Sequence, residues 1–388
     1  MTTEAWDATT AEQLRERGSM KWTRADSGTI AAWVAEMDFG AAQAVLDAWQ
    51  ESARRFEFGY PPTSVTADMA EATAVFYAEQ YGWEIPVGDI APIADVIKGL
   101  ELSISDFSEP GSAVIVPIPA YMPFLSVPPS MGREVREVPM IKGEDFSYRL
   151  DIGAIDRELA TGAGLVILAN PGNPTGRAFT AEELRELADV VDARGARVFS
   201  DEIHAPLVLF GGKHVPFASV SEAAARVAIT ATSASKAWNL PGLKCAQLIL
   251  TADADRERWT EIGFMASHGA STPGIRANTA AYRGGLSWLE EVRGYIERNF
   301  RRLESRLARD LPKARLTPLQ ATYLTWIDLA DYAVGDDPGG TLLDKARVLV
   351  NSGPAFGRAG EGHIRLNIAT PLPVLDEALD RIVAALTE

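Results

Sequence analysis

Lys236 stands in the stretch TATSASKAWNLPGLK, residues 230–244, among alanines and hydroxyl side chains with no acidic neighbour. If this stretch folds inward, Ala234, Ser235 and Ala237 leave the amine poorly solvated, and desolvation favours its uncharged, nucleophilic form. Two other polar groups follow short apolar runs: Asn173 in NPGNPTGR (170–177) and Asp201 in SDEIH (200–204). An uncharged amine can form a Schiff base with an aldehyde. A carboxylate can keep an aromatic ring nitrogen protonated, and a carboxamide can donate to a ring oxygen. The three together suit pyridoxal phosphate, whose protonated ring is an electron sink. Its phosphate needs several donors, and Ser233, Ser235 and Lys244 are spaced for it around a turn closed by Pro241 and Gly242. The backbone amides of Val96 and Ile97, in PIADVIKGLELSI, read as a helix N-terminus of the kind anions prefer. Taken singly these are ordinary loop features. Their order, with Asp201 lying 35 residues before Lys236 and one strand between them, is specific.

The elements that must bring these residues together are legible as short apolar runs. SAVIVP (112–117), GLVILA (164–169), ARVFS (196–200), RVAITA (226–231) and CAQLILT (245–251) read as strands of a central sheet buried on both faces. AEELRELADVVDAR (181–194) has helical spacing, with Thr180 as N-cap and Glu183 as its capping-box partner, so the segment is a βαβ unit and part of the sheet is parallel. Loops at the carboxyl ends of such strands gather on one edge, where ligands bind. That topology predicts one cleft shared by Asn173, Asp201 and Lys236. After residue 285 a long amphipathic helix is expected, with Leu289, Val292, Ile296, Leu303, Leu307 and Leu311 on one stripe. Strand-like ATYLTWIDL and GHIRLNIA follow, and then the helix PVLDEALDRIVAAL. The expected organisation is α/β: a large domain over 46–285, and a smaller α+β domain from residues 1–45 and 286–388.

Composition narrows the function classes. The 388 residues carry 37 Lys+Arg against 53 Asp+Glu, a net charge of −16, which repels nucleic acid and anionic membranes over most of the surface. The first residues, MTTEAWDATTAEQ, lack the basic and then apolar pattern of a signal peptide, and a cytoplasmic protein is expected. Cys245 is the single cysteine, which excludes an internal disulfide, and it reads as a small core residue. Four histidines without a third ligand at regular spacing give no reason to expect a metal centre. His214 and His363 read as structural or rim residues.

With these motifs in place, the sequence resembles the fold-type I pyridoxal-phosphate enzymes of the class I/II aminotransferase superfamily, and within it the MalY/PatB-type cystathionine β-lyases, or C–S lyases. The resemblance runs from WVAEMDF (33–39) to GHIRLNIATP (362–371). It includes FGYPP (58–62), PAYMPF (119–124), NPGNPTGR, SDEIH, SASKAWNLPGLK (233–244) and NTAAYRGGLSWLEE (278–291). It implies that Lys236 is the Schiff-base and proton-transfer lysine, Asp201 the partner of the ring nitrogen, and Asn173 the partner of the ring oxygen, also facing substrate. It implies further that Tyr121 stacks on the ring, that Arg365 clamps the substrate carboxylate, and that Tyr60 reaches the site of a neighbouring subunit in a homodimer. His204 stands where many aminotransferases place a tyrosine beside the ring oxygen. The sequence departs from relatives at Pro206, where lyases often carry an acid, and at Lys244, where aminotransferases use arginine. The implied reaction is α,β-elimination from cystathionine or another S-substituted cysteine. An aminotransferase, or a cofactor-bound regulatory protein, are the alternatives.

Overall fold

Seven strands make the principal sheet: β1 (Ile90–Ile93), β2 (Ala113–Ile118), β3 (Val135–Pro139), β4 (Ala163–Ala169), β5 (Arg197–Asp201), β6 (Ala228–Thr232) and β7 (Ala246–Leu250). In the computed structural model, which describes residues 3–387, they lie in the order β1-β7-β6-β5-β4-β2-β3. The pairs from β3 to β6 are parallel, and β7 runs antiparallel to both β6 and β1. The five apolar runs are therefore the five interior strands. Each is almost wholly buried because helices cover both faces. On one face Leu184, Leu187 and Val191 of the helix Ala181–Ala193 pack with Val166, Leu168 and Val198. On the other, Leu100 and Ile104 of the helix Val96–Ser105 pack with Ile167, Phe199, Ile229 and Leu248.

The differences from expectation lie at element ends and sheet edges. The strand anticipated from Arg226 begins at Ala228, because Arg226 and Val227 close the short helix Glu222–Val227. Both edge strands escape the apolar pattern: β1 contains Pro92, tolerated at an edge, and β3 (VREVP) is only half buried. The Thr180–Glu183 capping box forms as its spacing predicts.

The long helix Leu286–Asp310 buries Leu289, Val292, Ile296, Leu303 and Leu307, and Leu311 sits buried at its C-terminal end. It is followed by an antiparallel sheet of β8 (Arg315–Leu316), β9 (Leu324–Asp328), β10 (Asn351–Ser352) and β11 (His363–Asn367), ordered β8-β9-β11-β10, and by the helix Leu372–Thr387. The N-terminal segment joins the two parts. Lys21 and Trp22 donate to the two oxygens of the buried Asp38 at 2.6 and 2.9 Å, and Asn367 Nδ2 of β11 donates to the carbonyls of Val34 and Glu36 at 2.7 Å each.

The turn after β6 is clamped from behind by Trp238. It is fully buried, edge-on to Phe76 and Tyr282 at 5.7 and 5.5 Å, and its indole N–H donates to Gly285 O at 2.9 Å. Trp238→Ala leaves a large cavity and removes one of the two hydrogen bonds that Gly285 O accepts, the other coming from Leu289 N. It should cost about 3–5 kcal/mol of unfolding free energy, read from urea midpoints by circular dichroism. A loss under about 1 kcal/mol would show that the turn does not depend on this packing.

Candidate active site

β4, β5 and β6 are adjacent, and their carboxyl ends are level: Ala169 pairs with Asp201, and Asp201 with Ala231. Their following loops therefore open side by side, and Asn173, Asp201 and Lys236 all line one cavity of about 220 Å3. Val96, Ile97, Tyr121, His204, Ser235 and Lys244 line it as well.

Lys236 is partly buried, and its Nζ donates to Ala35 O at 2.9 Å instead of to a carboxylate. Burial brings its amine down to about 8, helped by the Arg365 charge and opposed by Glu36 and Asp201. Its backbone is held by neighbours: Ala234 N donates to Asn278 Oδ1 at 2.9 Å, and Ser235 N to Ser233 Oγ at 3.0 Å. Asn239, in the left-handed region at φ 61°, exchanges hydrogen bonds with Met37 N and O, both 2.9 Å, and so lays the N-terminal segment against the lysine.

Asp201 accepts from Ile203 N at 3.0 Å, and burial pushes its carboxyl up to about 7 despite that bond and the charge of Lys236. The next residue, Glu202, fixes the loop. Its carboxylate takes Ser200 Oγ at 3.1 Å and Phe217 N at 2.8 Å, and meets His214 Nε2 at 3.0 Å, so both ends of the 203–217 segment are tied to one buried group. His214 is thus a structural residue. His204, in that segment, is pushed down to about 3 by burial and by the charges of Lys236 and Arg365, so it is a neutral imidazole. Its Nδ1 is buried without a partner, and the ring lies 6.1 Å from Tyr323, whose hydroxyl is also unpartnered.

Arg365, on β11, is buried behind Asn173. It donates to Asn173 Oδ1 at 2.9 Å, Asn351 Oδ1 at 2.7 Å and Trp33 O at 2.9 Å, while its Nε has no partner. Asn173 Oδ1 being taken, its amide nitrogen is the group left to donate into the cavity. Tyr121, raised by burial, stands edge-on to Phe124 at 5.5 Å.

At the other end of the cavity, Val96 and Ile97 are the first residues of a helix whose N-cap, Asp95, accepts from Lys98 N at 2.9 Å. The first two amides of a helix have no intrahelical acceptor and so offer themselves to an anion. Asp95 also holds Lys244 Nζ at 2.7 Å across the mouth. Ser233 departs from expectation: its hydroxyl gives its single proton to Cys245 O at 2.7 Å, so it braces the turn and has none for a phosphate. Tyr60 lies outside the cavity, 78% exposed, with its ring 4.7 Å from His268.

Sequence reasoning missed Ala35, whose carbonyl receives the lysine, and Asp95, although an acid just before an apolar helix is a recognisable N-cap signal. The donor set fits pyridoxal phosphate. A free carboxamide N–H, a buried acid poised between charge states, an orphaned imidazole nitrogen and a helix N-terminus all face a space of about 220 Å3.

Comparison with known proteins agrees with this geometry. The model of the family "Aminotransferase class I and II" matches residues 34–382. A cystathionine β-lyase of Corynebacterium glutamicum is 37% identical over 97% of this chain and 98% of its own length. The cystathionine β-lyase PatB of Bacillus subtilis is 32% identical, covering 95% of this chain and 97% of its own. The structure of a pyridoxal-phosphate-bound C–S lyase from Staphylococcus hominis superposes with a TM-score of 0.90 at 29% identity, over 96% of this chain and 97% of that one. By fold, by site and by these likenesses, the chain belongs to the class I and II aminotransferase family, in its cystathionine β-lyase branch.

Proposed function

We propose that this protein is a pyridoxal-phosphate-dependent C–S β-lyase, which eliminates a thiol from cystathionine or a related S-substituted L-cysteine, the remainder reacting with water to give pyruvate and ammonia. The observation that carries the reading is the single cavity in which a desolvated lysine amine meets Asp201, the Asn173 amide and a helix N-terminus. The cystathionine β-lyases and C–S lyase that it resembles over nearly its whole length point to elimination rather than amino transfer.

When bound, pyridoxal phosphate supplies an electron-withdrawing ring to the amino acid it holds. The chain's own groups do the rest. Lys236, brought near neutral pH by burial, is the base that takes the proton from the substrate's Cα. Asp201 would hold positive charge at the ring nitrogen, Asn173 would donate to the ring oxygen, and Tyr121 would pack against the ring. The amides of Val96 and Ile97, with Ser235 and Lys244, would hold the phosphate, and His204 would serve as a neutral donor or acceptor beside the ring. Arg365 places the substrate carboxylate, using its unpartnered Nε and the Nη1 that here donates to Asn173. Whether elimination follows depends on Cβ, because a thiolate there can leave.

On the same footing we propose a cytoplasmic homodimer in which Tyr60 reaches the partner's site. Phe56, Phe58, Tyr60, Phe264 and Met265 are each more than two-thirds exposed, which supports a buried face in the assembly. No helix among the described residues is long and apolar enough to cross a membrane. The division into 46–285 and the remainder is supported by the principal sheet lying within 90–250 and the small one within 315–367.

The purified holoenzyme should form pyruvate and free thiol from L-cystathionine without added keto acid, and Lys236→Ala should abolish this together with the borohydride-sensitive yellow chromophore. Keto-acid-dependent amino transfer as the main reaction would overturn the lyase reading. Because the free amine titrates near 8 and not at its ordinary 10.5, cofactor-free protein should take up pyridoxal phosphate faster as pH rises, levelling off above about 8. A rate still climbing at pH 10 in stopped-flow absorbance would refute the burial effect. Arg365→Ala should raise KM for the amino acid by roughly ten- to a hundredfold in steady-state assays, and an unchanged KM would remove Arg365 from substrate binding.

A further inference from the structure

The segment before β9 joins three parts of the site. Gln320 N and Ala321 N both donate to Gly176 O at 3.0 Å, in the loop that carries Asn173. Thr322 N donates to Leu207 O and Leu209 N to Gln320 O, each at 2.9 Å, in the loop that carries His204. Ile368 N, just past β11 with its Arg365, donates to Tyr323 O at 2.9 Å. Among these contacts Thr322 is held at φ 71°, a left-handed conformation that a β-branched residue rarely adopts, and strain of this kind persists only where the surroundings impose it. The residue that follows it is Tyr323, which is fully buried.

The Tyr323 hydroxyl has no partner among the described residues, and neither has Nδ1 of His204, whose ring stands edge-on to the tyrosine with 6.1 Å between centroids. Two buried polar atoms on neighbouring rings thus each lack the hydrogen bond that burial makes costly to forgo. Their chemistry is complementary. Burial keeps the phenol protonated against the pull of the Arg365 charge, so it is a donor, and His204 is neutral, so its Nδ1 can accept. Because His204 lines the catalytic cavity and its Nδ1 is buried, Nε2 is the nitrogen left to face that cavity. The charges acting on the pair are Arg365 on both rings, Lys236 on His204 and Glu36 on Tyr323.

We infer that Tyr323 is a positioning residue of the site: its hydroxyl proton goes to His204 Nδ1, directly or across one water, and so fixes the imidazole in the tautomer whose N–H is on Nε2 and points into the cavity. The other tautomer would turn a lone pair toward an anionic ring oxygen. With Tyr323 in place, the Asn173 amide and the His204 N–H are both donors to that oxygen. This role rests on the pyridoxal-phosphate reading of the cavity and is independent of whether elimination or amino transfer follows.

The test uses holoenzyme whose histidines carry heavy nitrogen, as wild type, Tyr323→Phe, His204→Phe and the double variant. The chain has four histidines, so the His204 signals are those that vanish in His204→Phe. In wild type the nitrogen chemical shifts of His204 should report a proton on Nε2 and none on Nδ1. Tyr323→Phe, which deletes one oxygen and keeps the ring, should mix the two tautomers. The yellow chromophore gives a second readout. A ring oxygen short of a donor holds the neighbouring proton more tightly, so Tyr323→Phe should raise the pH midpoint of the colour change by about half a unit or more, and should add nothing further in the His204→Phe background. A wild-type proton on Nδ1, a tautomer unchanged in Tyr323→Phe, or equal midpoint shifts with and without His204 would overturn the role of Tyr323 and leave the cofactor reading standing. No chromophore in wild type after addition of pyridoxal phosphate would sink the cofactor reading, and the role of Tyr323 with it.

Discussion

Desolvation of one amine governs this site. Among the described residues Lys236 has no carboxylate partner, its chain neighbours Ala234 and Ala237 are buried and apolar, and the hydrogen bond its amine makes is to the carbonyl of Ala35. A salt bridge in that position would have held the amine protonated and unreactive. A carbonyl partner positions the nitrogen without stabilising the charge to the same degree. The packing of Trp238, the left-handed turn at Asn239 and the brace from Ser233 to Cys245 hold the turn that carries the lysine.

The same poorly solvated surroundings act on the other groups in opposite senses. Asp201 is pushed up to about 7 and His204 down to about 3, so near neutral pH the cavity offers a carboxyl close to its midpoint and an uncharged imidazole. A cationic ring nitrogen placed against Asp201 would complete its ionisation, since an opposite charge lowers a carboxyl's pKa. Glu202, one residue on, has its partners inside the protein, in Ser200, Phe217 and His214. Two adjacent buried acids thus have separate duties: Glu202 is spent on holding the loop, while Asp201 is left for a ligand.

How much of this was legible beforehand follows the same division. Lys236, Asp201 and Asn173 could be placed in one cleft because parallel strands with buried faces announce themselves as apolar runs, and their carboxyl ends share an edge. Ala35 could not be found that way. It contributes a backbone carbonyl from 201 residues upstream, and no side-chain type marks that contact. Ser233 was misplaced because a hydroxyl's direction depends on turn geometry, which here aims it at Cys245 O. The edge strands were overlooked because Pro92 and the charges of VREVP are permitted only where one side of the strand is unpaired.

The N-terminal segment ties these pieces to the smaller sheet. Along β11, Arg365 and Asn367 point to the same side, as residues two apart on a strand do. The first holds Asn173 and Trp33 O, and the second the carbonyls of Val34 and Glu36. Residues 33–36 are thereby fixed to the strand that carries the arginine, and through Asn239 the same segment is fixed to the turn that carries the lysine. Arg365, the carbonyl partner of Lys236 and the backbone of Glu36 are thereby held in one hydrogen-bond network that joins β11 to the turn after β6. The positions of Arg365 and Lys236 are therefore coupled through a few hydrogen bonds to a single extended segment.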